Sequence, residues 1–270
     1  MDSLERYRVN PKKFSLKQFK ADDKSARTGD KLEDAKLLAS LAQAINARQD
    51  ILHAQARHKV LLILQGMDTS GKDGTIKQVF SACDPLGIRL ACFKAPSDEE
   101  LAHDYLWRVH QQAPKKGELV IFNRSHYEDV LIVKVHGWID DPECARRYRQ
   151  INDFERMLAE NGTIIIKCFL HISPAEQKER LQERLSDPTK VWKFNPKDLE
   201  ERKLWPAYAT AYENALQATS TEVAPWYVIP ADSKTNRNLL VSQILLKTLE
   251  AMPLEYPVRP KEWEGLKIED

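Results

Sequence analysis

The 270-residue chain predicts an α/β protein, a three-layer α/β/α sandwich around a parallel five-stranded sheet. Three observations predict it. Five short apolar runs recur, at 60–64, 89–93, 119–122, 163–170 and 226–229. Stretches of helical periodicity separate them, and strands alternating with helices of ten to twenty residues pair in parallel through right-handed crossovers. The first run, Val60-Leu61-Leu62-Ile63-Leu64, is apolar throughout instead of alternating, as in a strand buried on both faces.

The elements follow in order. Residues 1–30 read as an irregular basic arm: over 1–31, nine Lys/Arg stand against five Asp/Glu, and such an excess predicts a solvated segment or one that helps to attract a polyanion. A helix starts at Asp30, an N-cap with Glu33 three residues on. Leu32, Ala35, Leu38, Ala42 and Ile45 then recur at helical spacing, to about Arg57. Later helix starts carry caps too. Ser97 with Glu100 and Ser173 with Glu176 are capping boxes, and Asp141-Pro142 and Asn195-Pro196 place proline behind a capping residue. The main domain is predicted over 31–253, with an inserted lid at about 173–205 and a tail at 254–270.

Composition narrows the function. Lys and Arg number 41 and Asp and Glu 40, so the net charge of +1 offers no global field to nucleic acid or to an anionic membrane. The densest apolar run is too short to cross a bilayer, and Met1-Asp2-Ser3-Leu4-Glu5-Arg6 lacks a signal peptide's apolar segment. Cys83, Cys92, Cys144 and Cys168 lie far apart, which argues against zinc and disulfides. A cytoplasmic protein is expected.

The chemistry lies after the first strand. Gly66-Met67-Asp68-Thr69-Ser70-Gly71-Lys72-Asp73-Gly74 fits the G-x-x-x-x-G-K of a Walker A phosphate loop, with a strand before it and a helix expected at 75–83. Gly66, Gly71 and Gly74 let backbone N–H groups turn toward phosphate oxygens, Lys72 adds an ammonium, and Thr75 and Lys77 are further phosphate contacts. The residue after Lys72 is Asp73, where most such loops carry a Mg²⁺-ligating Ser or Thr. Asp68, inside the loop, is therefore a candidate metal ligand.

A second cluster follows the third strand: Asn123-Arg124-Ser125-His126-Tyr127-Glu128-Asp129. Parallel sheets gather ligands at the C-terminal ends of their strands, so this block is expected to face Lys72. Arg124 supplies a fork for phosphate oxygens, and a carboxylate at that edge, Glu128 or Asp129, could complete a Mg²⁺ shell. His126 reads as a packing residue. The third region, 173–205, holds eight cationic and seven acidic side chains and reads as a mobile lid or as a solvated helix. As a lid, it would bring Arg180, Arg184, Lys190 and Lys193 over a phosphate chain. Trp205, Tyr208 and Tyr212 read as a core stripe.

Together these blocks resemble the polyphosphate kinase 2 family. The resemblance rests on Gly66–Gly74 with Asp68 inside it, on Asn123–Asp129, and on the string Arg180, Arg184, Pro188, Lys190, Trp192, Lys193, Asp198, Arg202, Trp205 and Tyr208. It continues through Ala224–Pro230 into Asp232, Lys234 and Arg237, covering roughly 30–250. It implies a P-loop kinase-like fold with a helical lid and a Mg²⁺-dependent enzyme (with Mn²⁺ able to substitute). The reaction implied moves the terminal phosphoryl group of inorganic polyphosphate to AMP and ADP, giving ADP and ATP. Asp68 and Lys72 would be the Walker A acid and lysine, Arg124 and Arg184 phosphate and lid arginines, and Asp129 a metal-binding acid displaced from Asn123, where many relatives have Asp. Glu128-Asp129 and Gly71-Lys72-Asp73-Gly74 resemble the subgroup using both acceptors, which implies Asn123, Tyr127 and Glu128 as acceptor contacts. A homo-oligomer, dimer or tetramer, is also implied. Two alternatives remain: an ATP-dependent kinase of a nucleoside monophosphate or other small molecule, and a nucleotide-gated polyanion-binding protein.

Overall fold

The computed structural model describes residues 3–268. The outermost residues of the expected arm and tail, 1–2 and 269–270, lie outside them. Five strands form one all-parallel sheet in the order β2-β3-β1-β4-β5: β1 Lys59–Gln65, β2 Ile88–Cys92, β3 Leu119–Asn123, β4 Thr163–His171 and β5 Trp226–Pro230. Each expected strand is present, with ends moved by at most one residue. β1 is central and completely buried from Val60 to Leu64, which is why its sequence does not alternate.

The helices are α1 Lys31–Gln55, α2 Lys72–Val79, α3 Asp98–Ala102, α4 Trp107–His110 and α5 Ile132–Val135 in the first half. The second half holds α6 Asp141–Glu160, α7 Pro174–Ser186, α8 Lys197–Lys203, α9 Trp205–Thr219 and α10 Lys234–Glu250. One face of the sheet packs Val60, Leu62 and Leu64 against Ile45 and Leu52 of α1 and Leu240 and Leu245 of α10. The other packs Leu61, Ile63 and Phe169 against Ile151 and Phe154 of α6 and Tyr212 of α9. The three-layer α/β/α sandwich is thus observed.

Caps settle the helix starts. Asp30 accepts from the backbone N–H of Leu32 and Glu33, and α1 ends at Ala56 in the left-handed region. Ser97 and Glu100 form the reciprocal capping box. At α7 the box is half made: Ser173 caps Glu176, but the Ser173 N–H donates to Asp232 Oδ1 instead. The α6 cap is Asp140, not Asp141. The loop helix α2 begins at Lys72, three residues earlier than expected.

The arm is irregular and largely exposed, but it is anchored to the domain. Tyr7, Val9, Phe14 and Leu16 are buried, and Arg8 bridges antiparallel to Tyr227 on β5. Its charge excess reported only the outward side chains. By lying along β5 it covers a sheet edge that would otherwise present unpaired backbone. The Ala26 N–H donates to Asn236 and the Asp232 N–H to the Ala21 carbonyl, so the arm also braces the start of α10.

Candidate active site

The crossover from β1 places the loop Gly66–Gly71 at the C-terminal edge of the sheet. Gly66 has φ +155°, and a Cβ there would lie 2.7 Å from Ser70 Oγ and 2.8 Å from the Leu170 carbonyl. Only glycine fits. Lys72 opens α2 and turns back over the loop, donating to the carbonyls of Gly66 at 2.7 Å and Met67 at 3.3 Å. Burial, reinforced by the charge of Arg124, lowers its pKa to about 8.

β3 is the neighbour of β1, so its C-terminal block reaches the same space. Asn123 donates to Asp73 Oδ1 at 2.7 Å, tying β3 to the first turn of α2. Arg124 donates to Asp68 Oδ1 at 2.6 Å and to Glu128 at 3.4 Å. Burial works against its charge, but the carboxylates of Glu128 and Asp68 outweigh it and raise its pKa.

Asp68, Gly71, Lys72, Asp73, Gly74, Asn123, Arg124, Arg184, Lys190 and Lys193, all expected site residues, line one cleft of about 700 Å³. Among the described residues its walls carry nine cationic side chains and four carboxylates. The excess that net charge hid is therefore gathered at one place, suited to a polyanion. Arg184 donates to the Lys193 carbonyl and to Asp198, and Lys190 pairs with Glu183 and Asp187 at 2.7 Å each.

A second cavity, of about 810 Å³, adjoins the first and shares Phe93, Lys94 and Arg124 with it. Leu101, Ile132, Val133, Trp138 and Ile139 give it apolar walls, and Glu128 and Asp129 lie at its edge. A cationic cleft opening into an apolar-walled cavity matches the two ends of a nucleotide.

The structure places several expected residues differently. Tyr127 is fully buried: its hydroxyl donates to Glu155 and accepts from Lys167, so it anchors the loop from below and does not line the second cavity. His126, also buried, contacts Glu155, and burial lowers its pKa, in keeping with a packing role. Asp129 faces Arg108 at 3.8 Å and lines the second cavity, whereas Asp68 lines the cleft. Burial raises the Asp129 carboxyl to about 6, against the pull of Arg108 and Arg147. Among the described residues no group of three or more His, Cys, Asp or Glu could hold a metal ion. Thr75 donates its hydroxyl to the Gly71 carbonyl, and exposed Lys77 lies outside the cleft wall. Arg180 borders the cleft but spends its donors on Glu176 and on the carbonyls of Thr69, Ser70, Ala231 and Asp232. Of the aromatic stripe, Tyr212 is core, while Trp205 and Tyr208 are half-buried and line a small pocket beside Asp68.

Sequence reasoning did not pick out Lys94, Lys234 and Arg237 as site residues, though all three line the cleft. Lys94 follows β2, and Lys234 and Arg237 begin α10 just after β5; the rule that ligands gather beyond strand C-termini is the signal that could have found them.

The relatives agree with this geometry. The chain is 54% identical over 267 residues to the AMP/ADP-polyphosphate phosphotransferase of Meiothermus ruber, covering 98% of this chain and 100% of that protein. It is 45% identical over 233 residues to the ADP-polyphosphate phosphotransferase of Rhodopseudomonas palustris, 82% of this chain and 81% of the other. The crystal structure of a polyphosphate kinase 2 from Arthrobacter aurescens superposes with a TM-score of 0.92 at 44% identity, over 98% of this chain and 93% of that one. Among the described residues no helix is long and apolar enough to cross a membrane. The family pattern itself matches residues 28–257, from the start of α1 past the end of α10, and the chain belongs to the polyphosphate kinase 2 family.

Proposed function

We propose that the chain transfers the terminal phosphoryl group of inorganic polyphosphate to AMP and to ADP, giving ADP and ATP. The observation that carries this reading is the continuity of the two cavities at Arg124. Polyphosphate lies in the cationic cleft, the nucleoside in the apolar-walled cavity, and the transferring phosphoryl group between them, within reach of Arg124 and Lys72. The acceptor is already anionic and needs no general base, consistent with the inward, hydrogen-bonded His126. What the side chains supply is position and positive charge at the equatorial oxygens of a loose transition state.

The donor set fits Mg²⁺, which binds through one or two carboxylates together with substrate phosphates instead of a full protein cage. Asp68 is the carboxylate that would hold it, and the ion would supply positive charge to the reacting phosphates when bound. Glu128, which lines the apolar-walled cavity and contacts Arg124, would bias the acceptor between mono- and diphosphate. Segment 173–205 acts as the lid: Gln177 of α7 donates to the Asp68 carbonyl at 3.1 Å, and Arg202 of α8 donates to Gln177 at 2.7 Å. Closure over the chain excludes water, which otherwise competes as acceptor.

The test is a single-donor assay. Protein, Mg²⁺ and long-chain polyphosphate are mixed with AMP or ADP without ATP, and products are separated by anion exchange. ADP and ATP from AMP, abolished by EDTA, is the expected result. ATP from ADP alone would confine the acceptor to diphosphates. No product from either acceptor would overturn the reading in favour of ATP as donor.

A further inference from the structure

Two arginines lie side by side behind the phosphate loop, and they use their donors differently. A guanidinium has five N–H groups in a fixed fork. Arg180 directs one at Glu176 and four at carbonyls, those of Thr69, Ser70, Ala231 and Asp232, at 2.7–3.2 Å. It has none left for a ligand. Arg237, 3% exposed, gives Nε and one Nη2 hydrogen to Asn238 Oδ1 and one Nη1 hydrogen to the Ser70 carbonyl at 3.2 Å. Among the described residues its other two N–H groups have no acceptor, and its side chain lines the cleft.

The Ser70 carbonyl is thus held between two guanidiniums. In a planar trans peptide the following N–H points the opposite way, so this clamp turns the Gly71 N–H away from the arginines. Gly71 itself has φ +101°, and a Cβ there would fall 1.9 Å from Arg237 Nη1. The glycine is therefore required twice, for its backbone angle and for the guanidinium stacked on it. In the same loop the buried hydroxyls of Thr69 and Ser70 have no hydrogen-bond partner. Charge is also out of balance. Burial, and the neighbouring charge of Arg180, lower the Arg237 pKa to about 9, with only Glu176 opposing.

We propose that Arg237 is a phosphate-binding residue of the polyphosphate cleft, positioned by the Ser70 carbonyl so that its two remaining N–H groups meet phosphate oxygens beside Gly71, while Arg180 is a purely positioning partner. This rests on the reading of the cleft as a polyphosphate site. The division of labour explains why two cations are buried together: one shapes the loop, and the other becomes fully hydrogen-bonded only when an anion arrives.

The experiment measures tripolyphosphate binding by calorimetry and steady-state kinetics with polyphosphate and AMP, for wild type, R237A, R237K and R180K, each checked by thermal unfolding. R237A is expected to weaken tripolyphosphate binding and raise the polyphosphate KM by more than about tenfold, leaving the AMP KM within about twofold. R237K should remain as weak, because one ammonium cannot bond the Ser70 carbonyl and an anion with a fork's geometry. Guanidinium ion should restore a substantial part of R237A binding, which a merely structural loss would not allow. R180K should lower kcat and thermal stability together, and guanidinium should not rescue it. Folded R237A binding tripolyphosphate as wild type does would overturn the proposal, as would wild-type binding by R237K, which also decides the matter if R237A does not fold. Failure of wild type itself to bind tripolyphosphate would instead remove the polyphosphate reading.

Discussion

The carboxylate of Asp68 and the guanidinium of Arg124 meet at 2.6 Å across 56 residues of sequence, because their strands are neighbours in the sheet. Arg124 holds φ +63° to make this contact, a left-handed conformation that costs a non-glycine residue about 1–3 kcal/mol. Arg124 lines both the cleft and the second cavity, and Asp68 lines the cleft beside it. A phosphate entering there competes with Asp68 for the arginine.

D68N and R124M should each lower kcat by about 10²–10³-fold, the range found when a preorganised charge at a reacting oxygen is removed. The double variant should lose far less than the product of the two, since both act on one reacting group. Steady-state turnover of polyphosphate with AMP measures this, and near-normal turnover by D68N would remove that residue from the site.

Lys72 makes anion binding depend on pH. Its pKa lies near 8 in the folded protein against an ordinary 10.5. Between those values the unfolded chain binds a proton that the folded chain has released, so Lys72 contributes stability that grows as pH rises through this window. Below 8 its buried charge opposes folding. A bound phosphate favours the ammonium, so tripolyphosphate binding at pH 8.5 should take up protons. Calorimetry in two buffers of different ionisation enthalpy should detect uptake in wild type and none from this residue in K72M.

The acceptor loop rests on a fully buried charge network. Lys167 donates to Glu155 at 2.6 Å, to the Tyr127 hydroxyl at 2.8 Å and to the Thr219 carbonyl at 2.7 Å. K167M leaves the buried Glu155 carboxylate without its cation, held only by the Tyr127 hydroxyl and His126, and urea unfolding should show a loss of about 3–5 kcal/mol. Adding E155L to K167M should recover part of that loss.

Filling the second cavity should separate the substrates. I132W narrows its apolar wall and should raise the AMP KM by about tenfold or more, the scale of losing an apolar contact area of one side chain. Tripolyphosphate affinity, measured by calorimetry, should stay within about twofold.

Much of this was legible because the signals are local. The continuous apolar run of Val60–Leu64 specifies a central strand, and Gly66, Gly71 and Lys72 specify the turn behind it. The block Asn123–Asp129 could be assigned to the site, but not its individual roles. Residues 126–130 form a 3₁₀ turn, with three residues per turn. Tyr127, Glu128 and Asp129 therefore point in three directions: into the core, toward Arg124 and toward Arg108. A sequence shows their adjacency and conceals that divergence.

The sequence by itself determined the parallel sandwich, the phosphate loop and the resemblance to polyphosphate kinase 2, since each depends on residue types at short spacing. Tertiary structure alone decided that Arg180 spends all its donors within the fold where Arg237 keeps two, that Asp129 faces Arg108 and the second cavity, and that Tyr7, Val9, Phe14 and Leu16 of the arm are core. Each depends on where a donor or carboxylate finds its partner, and those partners come from strands and helices tens to hundreds of residues away. Hydrogen-bond capacity is a property of the residue; whether it is already used is a property of the fold.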